Sequence, residues 1–188
     1  MTSMPLFAQL GLFLGISEMA LTLWKRSGAG ARRSDDGSLA VLWWAIMLML
    51  GLAYFIAFKV PATRFHLPRE LKWLALALFW GGLALRWWAI IYLGRFFTVD
   101  VAVQADHHLI DRGPYRYLRH PSYSGSFMSF VGLAIGFSNY LSGLVLMAGW
   151  VIGMTKRISV EERTLRGAFG ERYDAYIART WRLLPFVY

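Results

Sequence analysis

No cysteine occurs in this chain of 188 residues, and only 16% of them carry a charge. Without cysteine there is no thiolate nucleophile, no Cys-ligated zinc and no disulfide framework. The shortage of charge excludes a disordered chain and an ordinary water-soluble enzyme, in which about a quarter of residues are charged. Acidic residues are scarcer than basic ones, with 11 Asp and Glu against 20 Lys and Arg and a net charge of +9. Such a surplus suits nucleic acid or anionic lipid headgroups, and its distribution decides between them. No basic residue precedes the first apolar stretch and no small-residue cleavage pattern closes it, so that stretch is expected to be retained rather than removed as a signal peptide.

Apolar residues make up 57% of the chain. Leu39 to Phe58 is a run of twenty residues without a charge, the length a helix needs to cross ~30 Å of hydrocarbon. Leu6 to Trp24, interrupted by Glu18, and Leu71 to Gly94, with Arg86 in its interior, are two further spans. Ser122 to Thr155 is also free of charge, yet as one helix it would run roughly 50 Å, too long for a bilayer. Gly136, Ser138, Asn139 and Gly143 supply turn chemistry near its middle. The expectation is a hairpin of two short helices, Tyr123 to Phe137 and Leu141 to Thr155, and hence an all-α polytopic membrane protein of about five hydrophobic helices with an amphipathic tail. One domain, 1–188, then divides into three spans (1–93), a polar loop (94–122), the hairpin (123–155) and the tail (156–188).

The hairpin returns the tail to the side of the loop 95–121. That side collects Lys25, Arg26, Arg32, Arg33, Arg95, Arg112, Arg116, Arg119 and seven basic residues from Lys156 to Arg182, against Lys59, Arg64, Arg69 and Lys72 on the other. The positive-inside rule then puts the N-terminus outside and the tail in the cytoplasm, and assigns the basic surplus to membrane lipids rather than nucleic acid. Ser27 to Ser38, rich in Gly, Ser and mixed charge, reads as a flexible loop without chemistry.

Most reactive side chains lie after Gly94. Val99, Val101 and Val103 alternate within Thr98 to Gln104, an extended pattern, and Arg112-Gly113-Pro114-Tyr115 is a turn. Asp106, His107 and His108 lack a complete ligand set, so no metal is expected. The blander reading of this loop is a solvated, headgroup-binding connector.

His107-x-Leu109-Ile110-x-x-Gly113-Pro114-Tyr115-x-x-x-Arg119-His120-Pro121-Ser122-Tyr123-x-Gly125 is followed by Arg157-Ile158-x-x-Glu161-Glu162-x-x-Leu165, Phe169-Gly170-x-x-Tyr173-x-x-Tyr176 and Leu184-Pro185-Phe186. In this order the motifs resemble the isoprenylcysteine carboxyl methyltransferase family, over about the last hundred residues. The family's larger eukaryotic members have additional N-terminal spans, so this chain resembles the compact prokaryotic relatives and an inner-membrane location is implied. The resemblance also implies S-adenosyl-L-methionine as cofactor, and no G-x-G-x-x-G motif of the soluble nucleotide-binding fold is present. Carried over by position, His107, His108, Leu109, Ile110, Tyr115, His120, Pro121, Ser122 and Tyr123 would line the cofactor pocket, Glu161 or Glu162 would complete it, and Arg157 would face the acceptor. The family's cofactor-contacting glutamine aligns with Asp100, with Gln104 close by.

The implied chemistry suits these residue types. Tyr115 and Tyr123 fit an adenine ring and a sulfonium cation. Glu161 or Glu162 suits the amino group, and Arg119 or His120 the carboxylate, of the cofactor's amino-acid end. A carboxylate acceptor needs no general base, and the planar fork of Arg157 would hold it. An amine or thiol acceptor would have to lose a proton, for which Glu161 or a histidine is the candidate base. Arg119 and Arg157 have a blander reading too, as side chains snorkelling to headgroups.

Glu18 and Arg86 come from a separate argument. Both lie roughly 9 to 12 Å inside the same leaflet, where an isolated charge costs ~3 kcal/mol or more. They are expected to pair or to border an acceptor entrance jointly, which makes Arg86 a candidate substrate-binding residue beside Arg157. In the tail, Leu165, Phe169, Tyr173, Tyr176 and Ile177 recur near helical spacing, broken at Gly170, as an amphipathic element covering the pocket or lying on the membrane. The sequence reading is an S-adenosylmethionine-dependent membrane methyltransferase acting on a lipophilic or prenylated acceptor that enters from the bilayer. Its rivals are an NADPH-dependent sterol-type reductase and a non-enzymatic lipid-binding scaffold.

Overall fold

The structure, a computed structural model, describes residues 4–25, 32–33, 37–99, 102–103 and 108–185. Four long helices run through it: α1 (Met4–Trp24), α2 (Ser38–Lys59), α3 (Arg69–Leu93) and α5 (Tyr140–Phe169). Each is long and apolar enough to cross a membrane. The shorter α4 (Pro121–Gly136) packs chiefly along α3 and more sparsely against α5, and α6 (Glu171–Ala178) follows α5. Two-residue strands β1 (Arg32–Arg33) and β2 (Ala102–Val103) pair antiparallel, with Arg32 opposite Val103.

The five hydrophobic helices are present, and the chain is an integral membrane protein. Trp44, Leu48, Phe55, Trp88 and Ile91 are largely exposed, an apolar exterior that only lipid tolerates on this scale. The hairpin turns at residues 137–139, where Ser138 takes φ 54° and Asn139 caps α5 by accepting from Ser142 N at 3.0 Å. One boundary differs from the expected Leu141 to Thr155. Residues after Thr155 continue α5 unbroken to Phe169, because polar residues of good helix propensity follow and the first left-handed residue is Gly170, with φ 53°. Arg157 and Glu161 thereby stand one turn apart on one rigid helix.

Small residues let the helices approach. A Cβ at Gly82 of α3 would stand 2.5 Å from Gly125 O of α4, and one at Gly132 the same distance from Ala75 O, the close packing that substitutes for a hydrophobic drive within lipid. Ser142 Oγ donates to Ala53 O at 2.7 Å, joining α5 to α2. Phe7, Phe79, Phe130, Leu133, Phe137 and Leu146 fill the space between. At the end remote from α6, Asn139 Nδ2 donates to Val60 O at 3.0 Å and Arg64 closes the C-terminus of α2 by donating to Ala57 O and Phe58 O. The α2–α3 and α4–α5 connections are thus stitched together, and the opposite end is left to the polar loop and α6.

Candidate functional site

Two cavities meet at the α6 end of the bundle. The polar one encloses about 850 Å³ of non-protein space, open solvent at its mouth included, between the 93–98 and 109–123 segments, α5 and α6. Tyr115, Arg119, His120, Ser122, Tyr123 and Glu161 contribute to its wall, as do Leu109 and Ile110. The apolar one, about 770 Å³ on the same measure, lies between α1, α2, α4 and α5, with Leu14, Leu42, Ile46, Leu50, Phe130 and Met154 among its walls. Phe97, Thr98, Tyr123 and Arg157 belong to both.

Arg157 is 3% exposed. Its Nε donates to Tyr123 Oη at 3.2 Å, its Nη1 to Ser38 Oγ at 3.2 Å and its Nη2 to Val99 O. Tyr123 Oη in turn donates to Glu161 Oε2 at 2.7 Å. The ring of Tyr123 stacks on His120 with centroids 5.4 Å apart, and His120 Nδ1 is 3.9 Å from Glu161. Arg157 is therefore held by three elements, and its planar head is fixed where the cavities join.

Glu162, next along α5, faces away from the cavity and into a knot of cations. Arg119 Nε reaches its Oε1 at 3.2 Å, His120 Nε2 lies 3.2 Å from the same oxygen, and Arg182 donates from Nε at 3.0 Å and Nη2 at 2.6 Å. Main-chain bonds reinforce the knot: Arg119 N donates to Trp181 O at 2.8 Å, His120 N to Arg182 O at 3.2 Å and Trp181 N to Tyr117 O at 2.9 Å. Ser124 Oγ donates to Leu183 O. The segment 181–183 thus straps the loop that precedes α4 to α5 through charge and backbone bonds.

Of the other residues singled out from the sequence, Pro121 is buried as the first residue of α4. His108 is exposed beside the polar cavity and meets Phe96 edge-on at 4.8 Å. His107, Asp100, Gln104 and Asp106 lie outside the described residues, and among the described residues no cluster suited to a metal ion occurs. Arg86 borders the apolar cavity with Glu18 and is paired with it. Ser38 is a correction. It belongs to α2 rather than to a flexible loop, is fully buried, and anchors Arg157.

Thr164, Leu165, Phe169, Tyr173 and Tyr176 close the polar cavity from α5 and α6. Their helical spacing is the pattern legible in the tail, and here it covers the pocket. Burial raises the hydroxyl of Tyr115 above its ordinary range, with Glu161 adding to the effect. Tyr173 is raised by burial and then by Glu162 and Glu161, and Tyr176 by burial. All three stay neutral donors at physiological pH. Tyr176 Oη donates to Tyr115 O at 2.7 Å, whereas Tyr173 Oη is buried without a hydrogen-bond partner among the described residues.

The phospholipid methyltransferase family model matches residues 71–172. The probable protein-S-isoprenylcysteine O-methyltransferase of Oryza sativa subsp. indica is 35% identical over 108 residues, covering 56% of this chain and 56% of its own. Protein-S-isoprenylcysteine O-methyltransferase B of Arabidopsis thaliana is 31% identical over 137 residues, covering 62% of this chain and 70% of its own. The solved structure of the eukaryotic intramembrane Ras methyltransferase, isoprenylcysteine carboxyl methyltransferase, superposes with a TM-score of 0.61 at 29% identity, over 76% of this chain and 51% of that one. The chain thus spans a little over half the length of the rice relative and about half of the solved chain.

Proposed function

The chain belongs to the family of membrane methyltransferases that includes the isoprenylcysteine O-methyltransferases, and from that premise we propose that it transfers a methyl group from S-adenosyl-L-methionine to a lipophilic acid of the isoprenylcysteine kind. The junction of the polar and apolar cavities at Phe97, Thr98, Tyr123 and Arg157 carries the reading. A water-soluble cofactor and a lipid-borne acceptor need separate approaches and one meeting point, and this arrangement offers both.

The residues fit the cofactor. Glu161 presents a carboxylate for its ammonium, Tyr115 and Tyr123 present aromatic surface for the ring and the sulfonium, and Tyr173 offers a buried hydroxyl with no partner among the described residues. The cofactor, when bound, supplies a methyl group on a positively charged sulfur, whose C–S bond breaks as the acceptor oxygen bonds to that methyl. Arg157 would fix the acceptor's carboxylate through its planar fork, already oriented by Ser38, Val99 and Tyr123. Alignment in a water-poor site then provides rate without proton transfer, since a carboxylate is ionised at neutral pH.

The lipophilic part of the acceptor would occupy the apolar cavity, whose walls α1 and α2 expose their other faces to lipid. In this reading 94–122 is the cofactor loop, the α6 end of the bundle faces the cytoplasm of a prokaryotic cell, and the N-terminus lies outside. The basic residues concentrated at the α6 end support that orientation. Calorimetry on the purified protein with S-adenosylhomocysteine and with NADPH tests the function. Saturable binding of the first supports methyl transfer, and binding of NADPH alone would replace it with the reductase reading.

A further inference from the structure

Tyr173 and Tyr176 stand one helical turn apart on α6, and both line the polar cavity. Their hydroxyls are used differently. Tyr176 Oη is spent within the protein, donating to Tyr115 O at 2.7 Å and lying 3.3 Å from Leu118 O. Tyr173 is 1% exposed, and its Oη is the buried side-chain polar atom left without a partner among the described residues. Such an atom costs stability, and folded proteins rarely leave one unless a ligand, ion or water completes it. Phenylalanine would pack at this position without that cost, as Phe169 does on the neighbouring turn of the same wall.

We propose that Tyr173 is a cofactor-contacting residue whose hydroxyl donates a hydrogen bond to the amino-acid carboxylate of S-adenosyl-L-methionine. This deepens the methyltransferase reading and rests on it. Burial keeps the hydroxyl protonated, so toward a carboxylate it acts as the donor. The cavity wall offers two kinds of surface: Leu93, Phe96, Phe97 and Ile110 are an apolar group suited to the nucleoside, whereas Arg119, His120 and Glu161 are the charged group. Arg119 Nη1 donates to Ile177 O of α6, one turn from Tyr173, which sets Tyr173 beside the charged group. The cations there already have work: Arg119 Nε faces Glu162 Oε1, its Nη1 donates to Ile177 O at 3.1 Å and Thr180 O at 2.6 Å, and His120 Nε2 faces Glu162. Glu161 answers an ammonium, and the buried, unpartnered Tyr173 hydroxyl is a donor available for a carboxylate.

The full chain and its Tyr173→Phe variant, purified in detergent, separate this role from a structural one through two readouts of opposite sign. Without ligand, the variant is expected to unfold at the same temperature as the parent or a higher one, because an unsatisfied hydroxyl has been removed. Its dissociation constant for S-adenosylhomocysteine is expected to rise about tenfold to a hundredfold, the range for one hydrogen bond to a charged group. Methylthioadenosine, which lacks the amino-acid end, should bind both proteins within about twofold. Unchanged affinity for S-adenosylhomocysteine, equal weakening of both ligands, or a lowered unfolding temperature accompanying the weakening would each overturn the assignment. A parent protein that binds neither nucleoside contradicts the methyltransferase reading and this inference with it, whereas a parent that binds both and a variant that does the same removes only Tyr173.

Discussion

Glu18 of α1 and Arg86 of α3 form a two-point ion pair inside the apolar part of the bundle, Nε to Oε1 and Nη2 to Oε2, each at 2.5 Å. Arg86 Nη1 continues the chain to Ser122 Oγ at 2.9 Å. One guanidinium thus joins α1, α3 and the first turn of α4, with Glu18 and Arg86 on the apolar cavity and Ser122 on the polar one. Removing one partner strands the other charge in a water-poor place, at a cost of about 3–5 kcal/mol. Glu18→Ala and Arg86→Ala are each expected to lower the unfolding temperature by several degrees, and the swap Glu18→Arg with Arg86→Glu to recover much of that loss. A double swap that melts at or below the worse single variant would show that the two charges do not stabilise each other.

The approach of α3 to α4 depends on two glycines. A Cβ at Gly125 would meet Arg86 N at 2.5 Å, and one at Gly82 would meet Ser129 N at 2.6 Å, whereas Gly81 and Gly15 have nothing within 4 Å. Gly125→Ala should therefore part the helices, shift Arg86, and cost about 1–3 kcal/mol as overpacking does. Gly81→Ala should leave the unfolding temperature unchanged. Thermal denaturation of the two variants side by side checks this, and equal behaviour would contradict the packing described.

Arg157→Lys keeps the charge and loses the fork that engages Ser38, Val99 and Tyr123. The expected result is a drop of about 30- to 100-fold in kcat/KM for the acceptor, equivalent to ~2–3 kcal/mol for hydrogen bonds to a charged group. Affinity for S-adenosylhomocysteine should change less than about threefold. Equal loss of both would place Arg157 with the cofactor instead.

Three tyrosines near the site predict an alkaline limit. Burial raises Tyr115, Tyr173 and Tyr176 above the ordinary value of 10.0. Below pH 10 folded and unfolded chains alike keep these protons. Above it the unfolded chain loses them first, binds fewer protons than the folded one, and becomes favoured, so stability falls as pH rises. The unfolding temperature is expected to be lower at pH 11 than at pH 9, with a smaller fall in Tyr173→Phe. A fall of the same size in that variant would remove Tyr173 as a contributor.

The spans were legible because apolar runs of bilayer length leave few alternatives, and the hairpin because Ser138 and Asn139 are turn residues within a stretch too long for one helix. The Glu18–Arg86 pair was legible from cost, since two opposite charges at one depth in lipid seek each other. The onward run of α5 past Thr155 was not. The onset of charge marks a membrane boundary, but it does not end a helix that lacks a breaker. The strap formed by 181–183 left no side-chain signature because main-chain groups make much of it. Ser38 was hidden in a Gly- and Ser-rich stretch whose composition suggests flexibility, although its hydroxyl is held by a residue 119 positions away.

The central claim is that the polar cavity holds a methyl donor and Arg157 presents a lipid-borne acid to it. The direct measurement incubates the purified protein in lipid nanodiscs with S-adenosyl-L-methionine carrying a labelled methyl group and a prenylated cysteine bearing a free carboxylate. The account predicts label in the lipophilic product as a base-labile methyl ester, formed at a rate nearly independent of pH between about 6 and 9 because the acceptor is already ionised. Saturable acceptor binding without label transfer, or label recovered only in base-stable form, would contradict it.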